Sequence, residues 1–94
     1  MKIIVTGGCG FIGSTLIKKL VISPKNKILN IDVLKYPSMP ESLYTIKSCK
    51  NYFFKKIDIR NKNKLLKTIL EFKPHIIFID YLINLKNKKI IDLP

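Results

Sequence analysis

The sequence predicts an α/β chain, the N-terminal half of a doubly wound parallel sheet with about four strands and flanking helices. Three observations carry that reading. Short β-branched runs alternate with stretches of helical apolar spacing. Glycine or proline marks several of the changes, and the strand–helix–strand distance implies parallel pairing through right-handed crossovers.

The first strand is Lys2-Ile-Ile-Val-Thr6, an apolar run closed by glycines, as suits a strand buried on both faces. Over residues 11–22, Ile12, Leu16, Ile17, Leu20 and Val21 fall at helical spacing with Lys18 and Lys19 outside, and Pro24 stops the helix. Residues 28–32 form a second strand. A long connection with Pro37 and Pro40 follows, with one helical turn expected over 41–46. Residues 52–57 make a third strand, rich in aromatics. Asn61 or Asn63 caps a helix running to Phe72, in which Leu65, Leu66, Ile69 and Leu70 are expected to form one apolar stripe. Pro74 ends it, and residues 75–80 form the fourth strand. The tail, 81–94, has no clear period. The expected organisation is a truncated half-domain over residues 1–80 and a diverged tail over 81–94.

Ninety-four residues suffice for one modest core. No uncharged run reaches the ~20 apolar residues of a membrane span, and the start lacks the pattern of a secretory signal. Cys9 and Cys49 stand alone, without CxxC or a histidine partner, which excludes a disulfide scaffold and a zinc site and fits a reducing cytoplasm. The net charge of +12 raises the question of nucleic acid. Seventeen lysines are spread over the whole chain beside a single arginine, Arg60, whereas groove readers favour arginine's bidentate fork. Nucleic-acid binding therefore ranks third among the readings.

The informative segment is Thr6-Gly-Gly-Cys-Gly-Phe-Ile-Gly13, between the first strand and the first helix. Gly7, Gly10 and Gly13 have the spacing G-x-x-G-x-x-G, and Gly8 also satisfies G-x-G-x-x-G. One glycine serves the turn off the strand, one the approach of backbone to a pyrophosphate, and one the close packing of the helix. The helix amides and its positive end then face the phosphates. An NTPase phosphate loop is excluded, because Ser14 stands where that motif requires lysine. Asp32 ends the second strand, where an acid accepts hydrogen bonds from the adenosine ribose and repels a 2′-phosphate. The pattern is that of a Rossmann-type dinucleotide site, with NAD favoured over NADP and Lys35 weakening the preference slightly.

With those residues in place, the chain resembles the N-terminal part of the extended short-chain dehydrogenases/reductases, the NAD-dependent sugar-nucleotide epimerases and dehydratases. Within that family the likeness is nearest to the dTDP-glucose 4,6-dehydratases, which are lyases. It is carried by residues 1–14, by Asn30-Ile-Asp32 with Leu34, Tyr36 and Glu41-Ser-Leu43, by Asp58-Ile59, and by Lys73-Pro74. The resemblance implies that Gly7, Gly10 and Gly13 hold the pyrophosphate turn beside the Phe11 and Ile12 amides. It implies that Asp32 takes the ribose, with Val33, Leu34 and Lys35 along that edge, and that Asp58 and Ile59 hold the adenine. Core packing is the plainer role for Phe11, Ile12 and Ile59.

Two departures from the family bear on function. Ile79-Asp-Tyr-Leu-Ile-Asn84 stands where the family carries His-Leu-Ala-Ala-Glu-Ser along the nicotinamide, so bulky Tyr81 and Leu82 replace small residues. The family's catalytic Tyr-x-x-x-Lys pair, its sugar-nucleotide domain and its dimer helices are expected beyond residue 94. Tyr52 and Lys56 have the right interval, but on a strand such a pair lies ~13 Å apart and does not cooperate. The leading expectation is an NAD-binding fragment, inactive alone; the alternative is a small adenine-nucleotide module working with a separately encoded C-terminal half. Without the rest of the sheet, an uncovered strand edge and apolar helix faces predict a marginal, aggregation-prone domain. His75 is expected on the surface rather than in catalysis. Cys9 is expected to serve as a small turn residue, with oxidation sensitivity near the helix start as the alternative.

Overall fold

Parallel neighbours require crossovers that return the chain to the same end of the sheet. The computed structural model describes residues 1–33 and 40–79. Along them run β1 (Lys2–Thr6), α1 (Phe11–Leu20), β2 (Lys27–Asp32), a 3₁₀ segment (Pro40–Ile46), β3 (Tyr52–Lys56), α2 (Lys62–Phe72) and β4 (Ile76–Phe78). The four strands pair in parallel in the order β3-β2-β1-β4. Ile3 lies opposite Ile28 and Ile76, and Ile4 opposite Leu29 and Ile77.

Side chains alternate across a strand, so each central strand feeds two cores. On one face Ile3, Val5 and Ile28 meet Ile17 and Val21 from α1 and its C-terminal end, together with Leu43 and Ile46 of the 3₁₀ segment. On the other, Ile4, Leu29, Ile31 and Ile57 meet Leu65, Ile69 and Phe72 of α2. The two central strands, β1 and β2, are therefore covered on both sides.

Several boundaries differ from expectation for local reasons. α1 stops at Leu20, two residues before the expected end. The Asn26 side chain donates to the Leu20 carbonyl at 2.9 Å and that of Asn51 to the Val21 carbonyl at 3.0 Å, so side chains serve carbonyls a helix end leaves over. Asn61, not Asn63, caps α2, its Oδ1 accepting the Lys64 N–H at 3.2 Å. α2 closes through Lys73, which takes the left-handed conformation (φ 54°) usually left to glycine. β3 and β4 are shorter than expected, and Asp80 lies outside the described residues.

The apolar stripe expected on α2 divides. Leu65 and Ile69 pack against the sheet, while Leu66 and Leu70 stay 57% and 63% exposed. Leu66 and Leu70 are turned about 100° around the helix from Leu65 and Ile69, and among the described residues the sheet reaches only the narrower face. His75 is exposed and locks the entry to β4 onto β1: its Nδ1 accepts the Lys2 N–H at 2.9 Å, and its own N–H donates to the Lys2 carbonyl at 2.7 Å. Among the described residues no helix is long and apolar enough to cross a membrane, and no cluster of metal ligands occurs.

Candidate functional site

A parallel sheet delivers the carboxyl ends of its strands to one edge, where ligands of doubly wound proteins bind. Here that edge carries the glycine loop after β1, Asp32 at the end of β2, and Asp58 and Ile59 after β3.

The loop turns at Gly7, whose φ of 69° suits a residue without Cβ. The Gly7 N–H donates to the Ile31 carbonyl at 2.8 Å, and its own carbonyl accepts the Gly10 N–H at 3.1 Å. Helix α1 then starts directly on this turn: a Cβ on Gly13 would stand 2.5 Å from the Gly7 oxygen and 2.7 Å from the Gly8 Cα. Gly10 is the N-cap and brings no side chain to satisfy the first amides. The N–H groups of Phe11, Ile12 and Gly13 have no carbonyl within the helix to bond, and they sit at its positive end. The arrangement gathers backbone donors at the positive end of α1, the chemistry an anion would meet there.

Asp32 is buried, and its Oδ2 accepts the Cys9 N–H at 2.9 Å. This bond joins the acid to the glycine loop. Beneath them lies Asn30, fully buried in β2. Its amide donates to the Tyr52 hydroxyl at 3.1 Å and to the Cys9 sulfur at 3.5 Å. Its Oδ1 has no hydrogen-bond partner among the described residues and faces Gly8, where any Cβ would collide with it. Burial pushes the Cys9 thiol up to about 11, and burial likewise raises the Tyr52 hydroxyl above its ordinary range. Cys9 is thus a small, protonated core residue. The oxidation-sensitive alternative is corrected, because a helix terminus activates a thiol only where it is exposed enough to ionise.

Asp58 is gripped by Arg60. The Arg60 backbone N–H reaches Oδ1 at 2.9 Å, Nε reaches both oxygens at 3.1 Å, and the terminal nitrogen reaches Oδ2 at 2.7 Å. The neighbouring carboxylate raises the Arg60 guanidinium further above its ordinary range.

Of the expected site residues, Gly7, Gly10, Gly13, Asp32, Val33, Asp58 and Ile59 stand along the carboxyl edge, with Phe11 and Ile12 at the head of α1. Leu34 and Lys35 lie outside the described residues. The core-packing role for Phe11, Ile12 and Ile59 is overturned: all three are exposed, with Phe11 at 85%. They sit past the ends of the strands, where no layer covers them among the described residues. Tyr52 and Lys56 are both on β3, and the Tyr52 hydroxyl is engaged with Asn30. Sequence reasoning missed Asn30 and Arg60. A polar residue inside the apolar run Ile-Leu-Asn-Ile is a visible signal for the first, and a lone arginine two residues after a site aspartate for the second.

Comparison with known proteins agrees with this fold. A model of the 3-beta hydroxysteroid dehydrogenase/isomerase family matches residues 4–92. A probable dTDP-glucose 4,6-dehydratase of Sinorhizobium fredii is 37% identical over 92 residues, 98% of this chain and 25% of that protein. The dTDP-glucose 4,6-dehydratase of Neisseria meningitidis is 33% identical over 73 residues, 78% of this chain and 21% of its own length. The crystal structure of dTDP-glucose 4,6-dehydratase from Bacillus anthracis, in complex with NAD, superposes with a TM-score of 0.80 at 35% identity, covering 84% of this chain and 26% of that one. The chain spans about a quarter or less of the length of these relatives.

Proposed function

The chain belongs to the 3-beta hydroxysteroid dehydrogenase/isomerase family, and on that premise we propose that residues 1–80 are the NAD-binding half of a dTDP-glucose 4,6-dehydratase-like protein. The observation that carries this reading is the hydrogen bond from the Cys9 amide to Asp32, which makes the glycine turn and the ribose-binding acid a single preformed unit. The backbone of residues 11–13 receives the pyrophosphate, Asp32 the adenosine ribose, with Val33 along that edge, and Asp58 with Ile59 the adenine. Bound NAD supplies a hydride acceptor and donor. This chain's own residues bind and orient it; with Tyr52 and Lys56 extended along β3 rather than on one helix face, we assign them no share in proton transfer.

Calorimetric titration with NAD, NADP and ATP tests the reading. Saturable NAD binding is expected, with NADP at least about tenfold weaker, because a charged hydrogen bond to the ribose is worth ~1.5–3 kcal/mol. Asp32→Ala should abolish binding. Asp32→Asn keeps an acceptor for the Cys9 amide and should narrow the gap between NAD and NADP. Absence of heat from a sample shown to be folded, or equal affinity for NAD and NADP, would overturn the proposal.

One observation favours the reading of a module completed by a separately encoded remainder. Ile76, Ile77 and Phe78 of β4 are exposed, and among the described residues β4 pairs only with β1. A further strand along that edge would cover them. Co-expression with the C-terminal portion of a related dehydratase should then raise soluble yield and give turnover of a nucleotide sugar; no effect on either would sink this second reading.

A further inference from the structure

The Arg60 fork on Asp58 is unusual for where it sits. Arg60 is 76% exposed and the Asp58 side chain 35%, so the pair lies in water at the rim of the cofactor edge. An exposed pair of this kind contributes little to folding and is screened by salt. Yet four donor contacts fall on one carboxylate, three from the guanidinium and one from the Arg60 backbone, against the ordinary single contact of a surface ion pair. The backbone bond closes a tight turn over residues 58–60, and the planar guanidinium adds a second constraint on the plane of the carboxylate. Lysine, a point charge on a flexible stem, has no equivalent planar grip. Arg60 is also the sole arginine in a chain that otherwise uses lysine for every basic side chain, seventeen in all.

We infer that Arg60 is a positioning residue for base recognition, holding the Asp58 carboxylate in the orientation that accepts a hydrogen bond from an exocyclic amine. The inference rests on the proposed NAD site and deepens it. An ionised carboxylate only accepts. A purine bearing an amine at position 6 offers it a donor, whereas one bearing a carbonyl there presents a second acceptor and is repelled. A carboxylate free to rotate loses much of that selectivity, because it turns away from the wrong base and must be ordered again by the right one. The fork accomplishes that ordering before the ligand arrives. Nε is shared between the two oxygens, so the base amine takes over one of its contacts while the backbone N–H and the terminal nitrogen keep hold of the carboxylate.

The test compares NAD with its hypoxanthine analogue, nicotinamide hypoxanthine dinucleotide, by calorimetry at low salt on the full chain and on Arg60→Ala, Arg60→Lys and Asp58→Asn. The wild-type chain should prefer NAD by about tenfold, the scale of one charge-assisted hydrogen bond. Arg60→Ala should weaken NAD about three- to tenfold and leave the analogue nearly unchanged, so that the preference collapses. Arg60→Lys should keep the charge and fail to restore the preference. Asp58→Asn, which can rotate its amide to donate, should bring the two ligands to near parity. Equal weakening of both ligands by Arg60→Ala would mark Arg60 as a general electrostatic or structural contributor and overturn the inference. An unchanged preference, or rescue by lysine, would overturn it as well. If the folded wild-type chain binds neither dinucleotide, the NAD reading fails first and takes this inference with it; if it binds NAD normally while the preference ignores Arg60, only this inference falls.

Discussion

β1 and β4 lie side by side, and Ile4 and Ile77 are partners in register, yet Ile4 is fully buried and Ile77 is 41% exposed. The two strands are equally apolar: Ile-Ile-Val in one, Ile-Ile-Phe in the other. Their difference is position. β1 has a strand on each side and a helix over each face, whereas β4 has β1 on one side and, among the described residues, no strand on the other. β2 repeats the lesson against β3, with five buried residues in the first and none in the second. Apolar content predicts that a segment seeks cover. Whether it finds cover depends on what the neighbouring elements are long enough to reach.

The matched isoleucines offer the sharpest way to break that comparison. Ile4→Ala should cost about 2–5 kcal/mol in urea unfolding, through lost burial and a cavity that both layers fail to fill. Ile77→Ala, with the same atoms removed from a half-exposed site, should cost about 1 kcal/mol or less. Similar losses at the two sites would mean that β4 is covered in solution, by another copy or another segment.

The two cysteines extend the contrast to titration. Cys9 is buried and its thiol raised to about 11, while Cys49 is only half-buried. The folded state therefore holds the Cys9 proton after the unfolded chain has released it, above pH ~9. Stability from this group is fully present below that point and falls as pH rises towards 11, by up to about 2 kcal/mol. Stability curves of wild type and Cys9→Ala should accordingly converge or cross between pH 9 and 11. A constant difference between them would contradict the burial of the thiol. A disulfide reagent at pH 8 should also modify Cys49 well before Cys9.

The smallest expected effect is at the end of α2. Lys73 adopts a left-handed conformation that costs an L side chain about 1 kcal/mol. Lys73→Gly should relieve that and gain about 0.5–1 kcal/mol, less the entropy glycine adds to the unfolded chain. A loss of stability would show that the Lys73 side chain contributes more than its conformation costs.

Much of this was legible from residue order. Apolar runs and their breaks located all seven elements to within a few residues, because strand and helix periods are local properties of the chain. The glycine spacing located the turn after β1 and the close start of α1, since a tight turn and a close helix start demand glycine regardless of what surrounds them. The breadth of α2's buried face was not legible. Leu66 and Leu70 continue the apolar pattern perfectly well, but the contact they would need depends on the width of the sheet.

The partnerships within the site were equally hidden. Asn30 reaches Cys9 across 21 positions and Tyr52 across 22, and the Cys9 amide reaches Asp32 across 23, distances that no periodicity reports. Sequence by itself determined the strand–helix order, the parallel topology that follows from it, and the glycine turn with its acid. The tertiary structure alone decided which apolar residues are buried, that Cys9 is a core side chain rather than a reactive thiol, and that Arg60 grips Asp58. The physical reason is range: backbone preference and side-chain period act over a few residues, whereas burial and hydrogen-bond partnership are fixed by whatever the fold brings alongside.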